Sequence, residues 1–208
     1  DTGNYSYNRD AWWEYFKSPL AQNTVVVDGV SPWPAAACRR WLPPAYCAVE
    51  AGTAAHVGAG GTRLGEAWHS GYPRLPSPLR HRRQIRLYPP QGLVIIDLLE
   101  GAGTHTAEIF FHLGPGRAEL DGDLVRLVSE DGLRPAWIWL SSDLPLTVDL
   151  VEGWVATAYG QKEPGQVVRV RLEGDVPGCV QTAVSLDPGW IQRIRSGKLE
   201  SLDAAIKA

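Results

Sequence analysis

The side chains that could do acid–base or binding chemistry are spread along the chain and do not form one recognisable motif. No two histidines, and no histidine and cysteine, stand at a metal-ligand spacing such as HxH or HxxxH. We therefore interpret the histidines as hydrogen-bonded residues of strands and turns. The sequence contains five of them: His56, His69, His81, His105 and His112.

The cluster His81-Arg82-Arg83 concentrates cationic and imidazole groups at the start of a predicted strand. Guanidinium groups bind carboxylates in a bidentate manner, so the cluster could contact an acidic polymer. The alternative is a solvated strand end whose cations pair with Glu or Asp of the same protein. The sequence alone leaves both interpretations open.

Several kinds of site are excluded or unsupported. No Gly-x-Ser-x-Gly elbow is present, which argues against an α/β-hydrolase. Gly58–Gly61 does not lie between a strand and a helix, so we predict a flexible loop and not a phosphate site. The three cysteines, Cys38, Cys47 and Cys179, form no CxxC pair, although a Cys38–Cys47 disulfide remains possible.

Composition favours one globular domain spanning residues 1–208. Hydrophobic residues make up 44% of the chain and charged residues 21%, which is typical of a folded core and not of disorder. A net charge of -3 makes nucleic acid an improbable partner. No apolar run approaches the roughly 18 residues of a membrane span. The chain opens at Asp1 and lacks methionine, so we expect its natural N-terminal portion to lie elsewhere.

From Thr24 onward, short runs rich in Val, Ile, Leu and Thr alternate with Gly, Pro and Asp turn signals. This pattern predicts an all-β, two-layer antiparallel sandwich. The predicted strands are Thr24–Asp28, Arg83–Tyr88, Leu93–Leu99, Thr104–His112, Leu124–Ser129, Ala136–Leu140, Leu146–Val151, Val155–Tyr159, Val167–Leu172 and Val180–Ser185.

Helices are predicted to be short and peripheral. Asp10–Lys17 forms one that stops at Ser18-Pro19, because the residue before proline avoids the α region. Gly189–Arg195 and Lys198–Lys207 form two more near the C-terminus. Ser31–Pro78 is predicted to form long loops containing one or two strands. Because it is too long for a simple connection, we expect it to be a folded or functional excursion.

Four segments, in order, resemble the C-terminal β-domain of the heparinase II/III-like family of polysaccharide lyases and their relatives. They span nearly the whole chain. The segments are Asp1-Thr-Gly-Asn-Tyr5-Ser-Tyr7, then Ala21-Gln22-Asn23-Thr24 running to Asp28-Gly29, then His69-Ser-Gly-Tyr72 with Leu79-Arg-His81-Arg82-Arg83, and finally Ile95-Ile96-Asp97 running to Phe111-His112 and Ala158-Tyr159-Gly160.

The resemblance implies a super-sandwich of large sheets that closes over an upstream helical toroid, which this sequence does not contain. It implies an acidic, uronic-acid polysaccharide as partner, cleaved by β-elimination, and a periplasmic or secreted location. The chain alone is then expected to be inactive. The alternative is a sandwich module without catalysis that binds glycan or packs against another domain.

The resemblance also implies site residues. β-Elimination needs a base beside the carboxylate and an acid for the leaving oxygen, and a tyrosine can do both when nearby cations lower its pKa from about 10. Tyr5 and Tyr7 match this position, although both could be packing aromatics. Substrate-binding roles fall to Gln22, Asn23, His81 and Arg82.

The family's metal, usually zinc, would be held by Asp1, by a histidine position occupied here by Gln22, and by a ligand upstream. A neutral amide oxygen is a weak zinc ligand beside imidazole nitrogen. Zinc is therefore expected only in the complete protein, if at all.

Overall fold

In the computed structural model, residues 2–32, 51–57, 63–72, 74–130, 132 and 135–197 are described, with the backbone alone for 51–57. These residues form twelve strands, all paired in antiparallel fashion. The strands are β1 Val25–Val27, β2 Ala51–Val57, β3 Arg63–His69, β4 Arg80–Tyr88, β5 Gly92–Glu100, β6 Thr104–His112, β7 Gly116–Asp121, β8 Leu124–Ser129, β9 Ala136–Ser142, β10 Leu146–Ala158, β11 Gln161–Asp175 and β12 Gly178–Ser185.

The strands form two sheets that pack face to face, as the sequence predicted. One sheet has the order β1-β6-β11-β10, and the other has the order β2-β3-β4-β5-β12-β9-β8-β7. Alternate residues of both sheets point into one shared apolar core, which stabilises the sandwich by removing their surfaces from water. Its fully buried members include Val25, Ile109, Val168, Val170 and Leu172 from the smaller sheet, and Val125, Leu140 and Val180 from the larger.

Two short helices flank the sandwich. Helix α1, Ala11–Lys17, begins after Asp10, whose carboxylate accepts a hydrogen bond from the Trp13 N–H at 2.8 Å. It ends before Ser18, where a 3₁₀ turn, Pro19–Ala21, follows. Helix α2, Pro188–Arg195, packs Trp190, Ile191 and Ile194 on the outer face of the larger sheet. Both helices were predicted.

Asp28 and Gly29 make the tight turn that follows β1. Both have positive φ, 51° and 68°, and Val27 pairs with Val30 across the turn. Asp-Gly is favoured here because positive φ costs these residues little. The Asp28 carboxylate accepts hydrogen bonds from the Thr106 N–H at 2.9 Å and from His105 Nδ1 at 2.7 Å. The turn is thereby fastened to β6.

One predicted division of the chain was wrong. Leu146–Val151 and Val155–Tyr159 are not two strands but one, β10, which pairs with β11 along its whole length. Gly153, which lies between the two predicted strands, is opposite Gly165 within the ladder. A Cβ on Gly153 would lie 2.5 Å from Val167 Cγ2, so glycine is needed there for close approach and not for a turn.

The remaining comparisons between predicted and observed strands concern the region 31–78 and the edge strand β7. The described part of region 31–78 contains the strands β2 and β3, in agreement with the prediction of one or two strands there. Strand β7 was missed because Gly-Arg-Ala-Glu-Leu-Asp contains few β-forming residues; it lies at the sheet edge, where it pairs only with β8. Cys38, Cys47, Gly58–Gly61 and Lys198–Lys207 fall outside the described residues.

None of the described helices is long and apolar enough to cross a membrane.

Candidate functional site

The N-terminal segment that carries both candidate tyrosines is bound to the end of the β10–β11 hairpin. The Ala156 N–H donates to the Thr2 carbonyl and the Gly160 N–H donates to the Tyr5 carbonyl, both at 2.7 Å. Gly3 lies so close to β10 that a Cβ there would be 2.7 Å from the Ala156 oxygen. Residues 2–5 are therefore held in place by backbone contacts at the tip of the hairpin.

The side chain of Lys162 lies among three aromatic rings at this tip. Its Nζ is 4.0 Å from the ring centroid of Trp12, 4.9 Å from that of Trp154 and 5.4 Å from that of Tyr5. These distances are typical of cation–π contacts, in which the negative ring faces attract the ammonium group. The rings come from the N-terminal segment, helix α1 and strand β10, so Lys162 joins three elements.

Tyr7 and Tyr159 lie beside this cluster and project into solvent. Their ring centroids are 6.0 Å apart with an interplanar angle of 30°, and 75% and 63% of their surfaces are exposed. Tyr5, in contrast, is half-buried, and its ring stacks on Phe16 at 6.0 Å. We call the surface formed by Tyr5, Tyr7, Trp12, Trp154, Tyr159 and Lys162 the aromatic end.

The segment that carries Gln22 and Asn23 is held through its backbone carbonyls by side chains from four places in the fold. The Thr2 hydroxyl donates to the Ala21 carbonyl at 3.0 Å, and His112 Nε2 donates to the Leu20 carbonyl at 2.9 Å. Arg83 donates to the carbonyl of Asn23, and the buried Tyr72 hydroxyl donates to that of Val25 at 2.8 Å. Residues 20–25 are therefore fixed relative to both sheets.

Within this segment, Asn23 has a structural contact of its own. Its side-chain oxygen accepts the His112 N–H at 2.8 Å and faces His112 Nδ1 at 3.0 Å. Burial lowers the pKa of His112, and its hydrogen bond to Leu20 opposes that effect. Gln22 is half-buried, and Asn23 is exposed. The substrate-binding roles of both residues stay predictions.

His81 lies inside the sandwich and not at its surface. Its Nε2 is 2.7 Å from Asp97 Oδ1, and its Nδ1 is 3.3 Å from His69 Nε2. The Gly71 N–H donates to His69 Nδ1 at 3.1 Å, which leaves the proton of a neutral His69 on Nε2. His69 then donates to His81, and His81 donates to Asp97.

Arg83 completes this buried network from the same face of β4. Its Nε and Nη2 donate to the two carboxylate oxygens of Asp97 at 2.7 and 3.0 Å. Burial by itself would raise the pKa of Asp97, but Arg83 and His81 outweigh it and hold that pKa below its ordinary value. Burial, with electrostatic repulsion from Arg83, lowers the pKa of His69 to about 4.

Arg82 points to the opposite face of the larger sheet, because successive side chains of a strand alternate. It pairs with Glu66 and Glu100, each at 3.1 Å, and lies over the Trp68 ring at 5.9 Å. Every member of the His81-Arg82-Arg83 cluster thus pairs with a carboxylate of the same chain, although His81 is buried and does not lie at a solvated strand end. The substrate-binding roles of His81 and Arg82 stay predictions.

A cleft of about 620 Å³ opens next to the N-terminal segment, between the end of β6 and the β10–β11 hairpin. Thr2, His112 and Gln166 line it together with Glu130, Glu152 and Glu163. Three carboxyl groups in one cleft repel an anionic polymer. The cleft is therefore a poor binding surface for an acidic chain, in contrast to the aromatic end.

Reasoning from the sequence missed Lys162, Trp154 and Tyr159 as members of a site. Nothing in their spacing connects them with Tyr5 or Tyr7, since some 150 positions separate the two groups. It also missed the pairing of His69 with His81, which follows from the β3–β4 register. A cysteine nucleophile is not supported by the described part of the chain, because burial raises the pKa of Cys179 to about 11.

Comparison with known proteins identifies the family of this chain. The profile described as "Heparinase II/III-like, C-terminal" matches residues 1–196. The chain belongs to the heparinase II/III-like C-terminal family. No curated protein sequence matches it significantly.

Solved structures with the same fold include three heparinase-type proteins. A heparinase III gene product superposes with a TM-score of 0.71 at 16% identity, over 89% of this chain and 27% of that one. A heparan sulfate lyase from Pedobacter heparinus gives 0.69 at 14%, over 88% and 27%. A further heparinase III gives 0.63 at 15%, over 82% and 24%. The chain spans about a quarter of their length.

The zinc implied by the family resemblance stays a prediction. No group of three or more His, Cys, Asp or Glu side chains among them lies close enough together to hold a metal. Gln22 offers only a neutral amide, and His81, His105 and His112 are engaged in hydrogen bonds. Asp1 lies outside the described residues, so its role as ligand stays a prediction.

Proposed function

We propose that this heparinase II/III-like domain forms one wall of the cleft of a polysaccharide lyase that cleaves uronic-acid polysaccharide by β-elimination. The observation that carries the proposal is the family match over residues 1–196. The fold shared with heparinase structures nearly four times as long supports a division of labour between two domains. The second wall, and part of the catalytic machinery, would come from an upstream helical toroid.

Of the two candidate tyrosines, Tyr5 suits proton transfer better. Its ring is held between Phe16 and Trp12, and the Lys162 ammonium lies 5.4 Å from its centroid. A fixed ring meets the geometric demand of general acid–base catalysis, which needs the reacting atoms at hydrogen-bond distance. The exposed Tyr7 has no comparable support on its inner side.

The chemistry requires three actions on the uronide: removal of the proton beside the carboxylate, neutralisation of that carboxylate, and protonation of the leaving oxygen. Tyr5 would remove the first proton and return one to the leaving oxygen. The positive charge of Lys162 would favour the negative charge that develops during proton removal. The remaining groups would come from the toroid.

The proposal is tested on the natural gene product that contains this chain, using heparin, heparan sulfate and alginate. Formation of the unsaturated uronide is followed by its ultraviolet absorbance. We expect turnover by the longer protein and none by the 208-residue chain. Tyr5→Phe should lower kcat by about 10²-fold or more, and Tyr7→Phe should lower it much less. Turnover by the isolated chain, or an unaffected Tyr5→Phe enzyme, contradicts the proposal.

A second candidate function is a glycan-binding or domain-packing module without catalysis. Gln22 favours it, because this position has lost the histidine implied by the family. A longer gene product that binds uronic-acid oligosaccharides but produces no unsaturated uronide would support this alternative.

A further inference from the structure

We propose that the aromatic end is a binding subsite for an acidic sugar chain. Pyranose rings stack on Tyr7 and Tyr159, and a carboxylate or sulfate group of the sugar pairs with Lys162. This inference rests on the proposed function for its substrate class. It goes beyond that function by giving a binding role to Tyr7 and Tyr159, which the proposed proton transfer does not use, and by giving Lys162 an anionic group of the sugar as partner.

The first support is the exposure of two adjacent aromatic rings. Tyr7 and Tyr159 expose 75% and 63% of their surfaces, and their planes are inclined by only 30°. Large apolar rings at a protein surface usually mark an interaction site when they are contiguous. Flat rings with a polar hydroxyl at the edge suit a sugar, which has one apolar face and polar edges.

The second support is the charge of Lys162. Its ammonium group contacts three rings but forms no ion pair with any carboxylate in the part of the chain that the structure describes. Five arginines on the sheet faces differ, since each pairs with a carboxylate. These are Arg80, Arg82, Arg83, Arg169 and Arg171.

An acidic sugar can stack its ring on an aromatic side chain and pair its anionic group with a cation. The aromatic end provides both partners, because the Lys162 ammonium lies among aromatic rings without a carboxylate partner in the described part of the chain. The rings hold the ammonium in place, so less side-chain entropy is lost when the anion binds. The nearby cleft lacks this complementarity, because Glu130, Glu152 and Glu163 line it. The aromatic end is therefore the better surface for a polyanion of sugar rings.

The subsite is tested by titrating the 208-residue chain with hexasaccharides while recording tryptophan fluorescence, to which Trp12 and Trp154 contribute. The probes are a hyaluronan hexasaccharide, which carries carboxylates only, a heparan sulfate hexasaccharide, which adds sulfates, and neutral cellohexaose. We expect both acidic probes to bind and cellohexaose to bind at least tenfold more weakly. The relative affinity of the two acidic probes tells whether carboxylate or sulfate is preferred.

Variants separate stacking from charge. Tyr7→Ala combined with Tyr159→Ala should weaken binding of the acidic probes at least tenfold. Lys162→Gln should weaken it similarly, and Lys162→Arg should restore most of it because the charge returns. Arg117→Gln removes the same charge from an exposed position on β7. It should weaken binding only by the small amount that follows from the change in net charge. Leu186→Ala serves as the control for an exposed apolar side chain.

Three results would overturn the subsite: no binding of either acidic probe, equal binding by the tyrosine double variant, or equal losses in Lys162→Gln and Arg117→Gln. If neither acidic probe binds, the exposed rings of the aromatic end would instead be interpreted as a contact surface for another protein domain. Because the readout is binding and not turnover, these results are independent of whether the longer gene product is a lyase. Binding without turnover would remove the proposed function and keep the subsite.

Discussion

Asp97 is the residue on which the interior network of the larger sheet depends. It is 1% exposed and contacts His81 and Arg83 at the same time. A buried carboxylate in this position loses its hydration, and the loss is offset only while both partners remain. Removing the negative charge would leave Arg83 beside a neutral amide in the sandwich interior.

We therefore expect Asp97→Asn to lower the free energy of unfolding by about 3 kcal/mol. Asp149→Asn provides the matched control, because Asp149 is half exposed and its ion pair with Arg169 at 3.0 Å contributes roughly 0–1 kcal/mol. Urea unfolding of the three proteins measures the difference. Equal losses for the two variants would show that the network contributes no more than a surface ion pair.

His69 makes the stability of the domain depend on pH. Its pKa in the folded chain is about 4, below the 6.5 of an unperturbed histidine, so the unfolded chain binds the extra proton first. Stability is fully present above about pH 6.5 and falls as the pH decreases towards about 4. We expect a loss of about 2 kcal/mol after allowing for partial exposure.

The measurement is urea unfolding at several pH values, with His69→Gln as comparison. The variant should lose stability less steeply between pH 6.5 and 4. His112, whose pKa is also lowered by burial, is present in both proteins and cancels from the difference. Parallel curves for the two proteins would contradict the assignment to His69.

At the scale of elements, the long β10–β11 hairpin connects the aromatic end to the core. One end of it carries Trp154, Tyr159 and Lys162, and the other carries buried residues such as Val168 and Val170. The hairpin continues through Gly153 because β11 places Val167 against it. A larger residue at this position would push the two strands, or helix α1 above them, apart.

We expect Gly153→Ala to destabilise the chain by about 1–3 kcal/mol, since Val167 is β-branched and cannot turn away. Gly65→Ala in β3 is the matched control; apart from its chain neighbours, no atom of the described residues lies within 4 Å of the added methyl group, so its effect should be near zero. Thermal unfolding followed by circular dichroism compares them. A neutral Gly153→Ala variant would contradict the packing argument.

At the scale of the whole molecule, the two sheets share one apolar core. Leu140 from the larger sheet and Val168 from the smaller belong to the same buried cluster. Neither sheet can keep its inner face out of water alone, so the sandwich should unfold as one cooperative unit.

We expect Leu140→Ala and Val168→Ala to lower the free energy of unfolding by about 2–4 kcal/mol each, within a single transition. Fluorescence and circular dichroism should give the same midpoint for each protein. Leu186→Ala, at an exposed position, should leave it unchanged. Two separate transitions, or one sheet unaffected by loss of the other's core residue, would contradict the shared core.

The sequence by itself determined the local structure of this domain. Alternating apolar residues predicted nearly all central strands, and Ser18-Pro19 predicted a helix end, because these signals act through the backbone of neighbouring residues. It failed at β7 and at Gly153, where sheet position and a packed neighbour outweigh local preference. The motifs also indicated the family, which the profile match confirmed.

Only the tertiary structure decided which residues act together. Tyr5 and Tyr7 meet Lys162 and Tyr159 because the N-terminal segment binds the tip of a hairpin some 150 residues away. His69 meets His81 through strand register. Contacts between distant segments depend on sheet order and on which faces the core leaves uncovered, and neither is written in the local pattern of residues.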